Sequence, residues 1–256
     1  MKWLVTGLGG TLAPVLARAA QAQGTQVLRW DRSAVPPDDA ASARAWLEHE
    51  QPDAIAHLAV GSLDWARTLA TYAAEHRIAM LFTSSAMVFH HQPDWPHRID
   101  DARNALDPYG RYKGECEEAI LDVCPQACVA RIGWQIDGQQ PGNNMLMALD
   151  TWQTQRGHVA ASQAWRPACS FMEDTALALT GLLRERASGL VHIDSNADEG
   201  HDFCSIVQAL KIVFARDTWV VRPDRDYVHD QRLHGGGSLV PPLSRRLPPL
   251  GAFERS

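Results

Sequence analysis

The apolar positions of the chain change period repeatedly, and each change marks an element. Trp3–Thr6 is a short apolar run closed by glycine, the length and composition of a buried strand. Leu12, Val15, Leu16 and Ala19 then recur at helical spacing, predicting a helix over Leu12–Gln23 that Gly24 ends. Gln26–Trp30 reads as a second strand. Strand, glycine turn, helix and strand in this order make a βαβ unit. The alternation goes on. Helices are predicted over Ala41–Glu50, Leu63–His76 and Pro108–Val123, the last capped by Asp107 with Pro108 at its first position. Strands are predicted over Ala54–Leu58, Ala79–Thr83 and Ala127–Ile132. Such alternation implies a parallel sheet covered by helices on both faces.

After Trp134 the pattern loosens. Gly138–Asn144 reads as a loop, Asn144–Gln155, Glu173–Glu185 and Phe203–Phe214 as helices, and Gly189–Asp194 as a short strand. The tail from His234 holds a glycine triplet and two Pro-Pro pairs, and reads as irregular and partly extended. The expectation is an α/β chain: a Rossmann-type doubly wound parallel sheet over residues 1–140, and a small discontinuous C-terminal lobe over residues 141–256 for substrate, with some segments returning to the core.

Composition narrows the class. The 256 residues carry a formal charge of -6, which argues against a nucleic-acid polymer as partner. No run is long and apolar enough for a membrane span or a leader, so a soluble, cytoplasmic protein is expected. Five cysteines without a C-x-x-C pair read as free thiols in a reducing compartment, and no metal is expected. His90 and His91 are adjacent and cannot easily face one ion; they read as a solvated loop.

The first turn carries candidate chemistry. Gly7 permits a tight turn, Gly10 lets the backbone approach a pyrophosphate, and Ala13 lets the helix pack on the strand. The free N–H groups of the helix start then face the anion. Asp31 ends the second strand, where a carboxylate can accept from the ribose hydroxyls of NAD. Arg32 beside it can face the 2′-phosphate of NADP, so the choice stays open. Tyr109 and Lys113 stand four apart on the long helix, so an ammonium can lower the phenol pKa and assist proton transfer. Ser84 and Ser85 end the fourth strand, where parallel sheets bind ligands. A nicotinamide, a proton donor and a hydroxyl that holds the oxygen are what carbonyl reduction needs. Trp134 and Trp165 suit stacking on a sugar or base, and Arg166 and Arg222 suit a diphosphate.

With these residues in place, the chain resembles an extended short-chain dehydrogenase/reductase, and within that group the dTDP-4-dehydrorhamnose reductase family. The stretches KWLVTGLGGTLAPVL, PDAIAHLA, FTSSAMVF, LDPYGRYKGECEEAI, VARIGWQIDG with GNNM, and GLVHID carry the resemblance. It implies Ser85, Tyr109 and Lys113 as the catalytic set. It implies Gly7, Gly10, Thr11 and Leu12 as the pyrophosphate loop, Asp31 as the ribose acid, and Ala59 and Val60 beside adenine. Gly133 and Trp134 fall near the nicotinamide and sugar, and Asn144 and Trp165 on the sugar-nucleotide side. The implied cofactor is NAD(P)H, the implied substrate a nucleotide-linked keto sugar or other small ketone, and the implied assembly a monomer or homodimer. An epimerase or dehydratase, or a non-catalytic NAD(P)-binding regulatory subunit, are the alternative functions. Three departures bear on substrate. Ser85-Ala86-Met87 replaces the family's Thr-Asp-Tyr, the segment from Leu58 to Leu63 is short, and Gln163–Pro167 lacks the usual glycine and threonine.

Overall fold

The structure is a computed structural model that describes residues 1–91, 95–139 and 141–253. Gln140 of the predicted 138–144 loop and residues 254–256 of the tail lie outside the described residues. The chain divides into two compact units, each assembled from three stretches. The first comprises Met1–Val88, Arg103–Arg131 and Ala176–Val191; the second comprises Phe89–Ala102, Ile132–Thr175 and His192–Ser256. A single cut near residue 140 therefore does not describe the contacts, because 89–102 and 132–140 cluster with later residues.

In the first unit the strands are β1 (Lys2–Thr6), β2 (Gln26–Arg29), β3 (Ala54–His57), β4 (Ala79–Ser85) and β5 (Cys128–Ile132). With the strand Gly189–Ile193 they form a six-stranded sheet in the order β2, β1, β3, β4, β5, Gly189–Ile193. β1 pairs in parallel with both β2 and β3, and β3 with β4. The first helices are α1 (Leu12–Ala22), α2 (Ala40–Glu50), α3 (Leu63–His76) and α4 (Pro108–Val123).

Each element follows from its residues. β3 is buried at every position and β4 at all but its first, as a sheet covered on both faces requires. β2 is only partly buried, consistent with its place at the sheet edge. Gly24 takes φ +79 just after α1, a conformation that costs glycine nothing. Ser62 caps α3 by accepting from Trp65 N at 3.2 Å, and Asp107 caps α4 by accepting from Gly110 N at 2.7 Å. Trp30, Trp46 and Trp65 meet at ring-centroid distances of 4.9 and 5.3 Å and anchor the core on one side of the sheet.

The second unit has its own core around Phe171, Phe203, Trp219 and the helices Met145–Arg156 and Phe203–Val213. Three pairs of short parallel strands that the hydrophobic pattern does not announce lie here. Trp134–Ile136 pairs with Cys169–Phe171, Val159–Ser162 with Val221–Asp224, and Trp165–Arg166 with His229–Asp230. Each strand is two to four residues long, too short for a periodicity to register. The tail is more ordered than its prolines suggest: Leu243–Arg246 and Leu250–Phe253 are helical turns, and Leu243, Leu247 and Leu250 are buried.

Candidate active site

The sheet order reverses at β1, so the crevice beyond its end is flanked by the turn after β1 and the turn after β3. Gly7 takes φ +84, and a Cβ there would stand 3.0 Å from Ala59 N. Both the turn and the close approach therefore require glycine. Gly10 N donates to Gly7 O at 2.8 Å, which closes the turn and leaves Gly9 and Gly10 exposed. Thr11 is the first cap position of α1, and Leu12 its first residue; both are half-buried. The cradle fits a pyrophosphate: a glycine turn, no side chain in the way, and a helix start behind it.

At the end of β2, Asp31 is exposed and accepts from Ser33 N at 2.9 Å. Arg32 lies over the Trp65 ring, 5.0 Å from its centroid, and donates to the Val60 carbonyl. Val60 is 56% exposed, whereas Ala59 is buried. Asp31, Arg32 and Val60 thus stand together beside the glycine turn.

Polar groups that motif reading passed over hold this crevice in shape. The Thr6 hydroxyl accepts from Leu58 N and Ala59 N, each at 3.1 Å, and meets His57 Nδ1 at 2.8 Å. With two donors already on its oxygen, Thr6 donates to His57, which places the histidine proton on Nε2. Burial, with Lys113 and Arg32 adding to it, pushes His57 down to about 3, so the ring is neutral. The sequence signal was a polar residue ending each of two buried strands; Thr6 and His57 are register partners.

The reacting residues come from β4 and α4. Ser84 and Ser85 are buried at the end of β4, and the Ser84 hydroxyl has no partner among the described residues. Ser85 Oγ accepts from Met87 N at 3.1 Å, in the helical turn Ala86–Val88. Ser85 lies close enough to Tyr109, which is 46% exposed at the start of α4, to favour its ionised form. This meeting depends on Gly110. A Cβ there would lie 2.0 Å from the Met87 carbonyl oxygen, so α4 reaches the turn only without one.

Lys113 is buried at 2% exposure, and its Nζ donates to the Thr83 carbonyl at 2.8 Å. Burial pushes it down to about 8, against the pull of Cys116 and Glu117. Nζ lies 5.8 Å from the Tyr109 ring centroid. The expectation that Lys113 lowers the Tyr109 pKa is corrected here. Burial raises the phenol above its usual value; the nearby Ser85 opposes, and Asp107 adds to the rise. Tyr109 is thus a protonated donor at neutral pH. Tyr112, on the same helix, accepts from Gly61 N at 3.0 Å and ties α4 to the turn after β3.

The remaining candidates belong to the second unit. Gly133 packs on Ala168, where a Cβ would lie 2.2 Å from the carbonyl oxygen, and Trp134 N donates to that oxygen at 2.8 Å. Trp134 and Trp165 join Phe203 in an aromatic cluster, with centroids 6.2 Å apart for the tryptophan pair and 4.4 Å from Trp165 to Phe203. Both tryptophans are half-buried. Asn144 is 1% exposed and caps Met145–Arg156, accepting from Met147 N at 3.0 Å. Arg166 is exposed and donates to Gly200 O at 3.1 Å. His90 and His91 are exposed, and Tyr227 Oη lies 2.7 Å from His91 Nε2. All five cysteines are free and buried.

Known proteins resemble this chain in sequence and in fold. A curated relative, dTDP-4-keto-6-deoxy-D-glucose reductase of Streptomyces niveus, is 24% identical over 208 residues, covering 75% of this chain and 72% of that protein. A dTDP-4-dehydrorhamnose reductase from Clostridium acetobutylicum superposes with a TM-score of 0.82 at 14% identity, over 100% of both chains. The Bacillus anthracis dTDP-4-dehydrorhamnose reductase in complex with NADP gives 0.79 at 13% identity, over 98% of this chain and 99% of the other. The Bordetella bronchiseptica enzyme WbmH in complex with NAD+ gives 0.77 at 18%, over 100% and 98%. At such identities these structures speak for the fold. The family described as RmlD substrate binding domain matches residues 62–217, more than half of the sequence. This chain belongs to that family.

Proposed function

We propose that this protein is an NAD(P)H-dependent reductase of a nucleotide-linked keto sugar, of the dTDP-4-dehydrorhamnose reductase type. The observation that carries the reading is the protonated Tyr109 phenol at the start of α4, close to Ser85 at the end of β4 and one helical turn from buried Lys113. The cofactor fits the residues present: Gly9 and Gly10 leave the exposed face of the turn bare of side chains, and Ser84 offers a buried, unpartnered hydroxyl. Gly7, Gly10, Thr11 and Leu12 would hold the pyrophosphate, Asp31 and Arg32 the adenosine ribose, Ala59 and Val60 the adenine side, and Ser84 and Lys113 the nicotinamide half. When bound, the nicotinamide supplies a hydride to the carbonyl carbon.

The chain's own residues do the rest. Ser85 Oγ donates a hydrogen bond to the carbonyl oxygen, one arm of an oxyanion hole. Tyr109 transfers its phenolic proton to that oxygen as charge develops there, so hydride and proton together turn C=O into CH–OH. The raised phenol pKa suits this direction, because the donor is loaded before reaction. Lys113 carries a positive charge below about pH 8 and, held by the Thr83 carbonyl beside Tyr109, would bond the nicotinamide ribose. Trp134, Trp165, Arg166 and the backbone at Gly133 are the candidate substrate contacts that the family resemblance and their residue types suggest. Asn144 supports the second unit as a helix cap. Ala86 and Met87 place no carboxylate beside Ser85, as a dehydratase would want. No described helix is long and apolar enough to cross a membrane, and five free, buried thiols suit the cytoplasm.

The test is oxidation of NADH and of NADPH in the presence of a dTDP-4-keto-6-deoxyhexose, with Tyr109→Phe alongside. Turnover that falls by about 10²- to 10⁴-fold in the variant, with cofactor affinity retained, supports the reading. Parental turnover in Tyr109→Phe sinks it, and tight cofactor binding without turnover points to a different ketone.

A further inference from the structure

Tyr109, Lys113 and Glu117 follow one another at intervals of four along α4, so they share one face of the helix. Glu117 is fully buried, and so is its partner Arg131 near the end of β5. Arg131 Nε donates to Glu117 Oε1 at 2.9 Å and Nη2 to Oε2 at 2.8 Å, a two-pronged fork. Arg103 adds a weaker contact at 3.3 Å while its other prong goes to Glu118 at 2.7 Å. Burying two charges is costly, and apolar replacements of such pairs are often as stable. The pair therefore asks for a role besides stability, and its place, one turn beyond Lys113, suggests it.

We propose that the Glu117–Arg131 pair is a positioning and charge-balancing device for the reacting residues: it fixes α4 against β5, and it neutralises Glu117 so that this carboxylate does not capture the Lys113 ammonium. The reading rests on the proposed reductase function only for its catalytic consequence. Lys113 meets Tyr109, Tyr112, Cys116 and Glu117 on its own helix, and Phe82 and the Thr83 carbonyl on β4. His57 on β3 is neutral, and Arg131 on β5 acts on Lys113 through Glu117. Burial brings Lys113 down to about 8, and Glu117 is among the groups that oppose the fall. Freed from Arg131, Glu117 would oppose it further; an unpaired Arg131 would deepen it.

The two single variants consequently move Lys113 in opposite directions. The chain has three lysines, Lys2, Lys113 and Lys211, so the Lys113 signal can be followed by NMR in the full-length protein with isotope-labelled lysine. In Arg131→Met the titration midpoint is expected to rise by about one unit, and in Glu117→Gln to fall by about one unit. In the double variant it returns close to the parental value. The alkaline limb of reductase activity moves with each midpoint. If Arg131→Met does not fold, the fall in Glu117→Gln and its reversal in the double variant carry the same test. Midpoints that stay at the parental value, or move the same way in both single variants, overturn the proposal. A purely structural clamp would lower kcat or Tm without moving them. Absence of turnover in the parent would sink the reductase reading, while the NMR midpoints would still decide the role of the pair.

Discussion

Replacing Gly110 by alanine tests whether the approach of α4 to the turn after β4 makes the site. An added Cβ would stand 2.0 Å from the Met87 carbonyl oxygen, 2.7 Å from Ala105 Cβ and 2.8 Å from Asp107 Oδ2. A carbon and a carbonyl oxygen need about 3.3 Å, so helix and turn must part by roughly 1 Å. All three obstructing atoms are backbone or short side chains and cannot swing away. Parting them separates Tyr109 from Ser85, and a misplacement of this size costs about 10²-fold in turnover. Overpacking costs about 1–3 kcal/mol, offset by about 1 kcal/mol of helix propensity. Gly181→Ala is the control: nothing lies within 4 Å of its Cβ, so it collects the propensity gain alone. The assay is steady-state NAD(P)H oxidation with the keto sugar, cofactor affinity by fluorescence, and thermal unfolding. We expect kcat of Gly110→Ala to fall by about 10²-fold, with a lower Tm and parental cofactor affinity. A variant that turns over at the parental rate, with Tm raised as in Gly181→Ala, would refute the reasoning.

Other outcomes follow from single contacts. Gly7→Ala, strained at φ +84 and pressed on Ala59, should lose cofactor affinity by more than tenfold; unaltered binding in a fluorescence titration would remove the turn from the cofactor site. Asn144→Ala should cost about 1 kcal/mol in urea unfolding through its lost cap, with KM for substrate little changed. A large KM effect without destabilisation would instead make Asn144 a substrate contact. His57 stays neutral to about 3 in the fold, whereas the unfolded chain protonates it near 6.5. The unfolded state therefore binds the extra proton as pH falls from 6.5 toward 3, and the His57 contribution to stability falls by about 1.4 kcal/mol per pH unit. His57→Gln should show that much less slope in unfolding free energy against pH, and parallel curves would contradict a neutral buried ring.

The sequence by itself determined what is local and repeated. The α1 and α3 starts, the whole of α4 with its Asp107 cap and Pro108, and the glycine turn are legible because each obeys a short-range rule: hydrophobic period, capping oxygen, or positive φ. Ser85, Tyr109 and Lys113 were legible as residues because parallel sheets bind ligands at strand ends and a four-residue spacing aligns a helix face. Tertiary structure alone decided the rest. The direction of the Tyr109 shift depends on burial and on where Nζ of Lys113 points, which spacing does not encode. Asn144 and the tryptophans look the same in a sequence whether they face a ligand or cap a helix and pack on Phe203. Two-residue strands such as Trp165–Arg166 form because distant segments meet there, not because of any local pattern. The Thr6–His57 and Glu117–Arg131 partnerships join residues 51 and 14 positions apart, and only folding brings their buried polar groups together to satisfy one another.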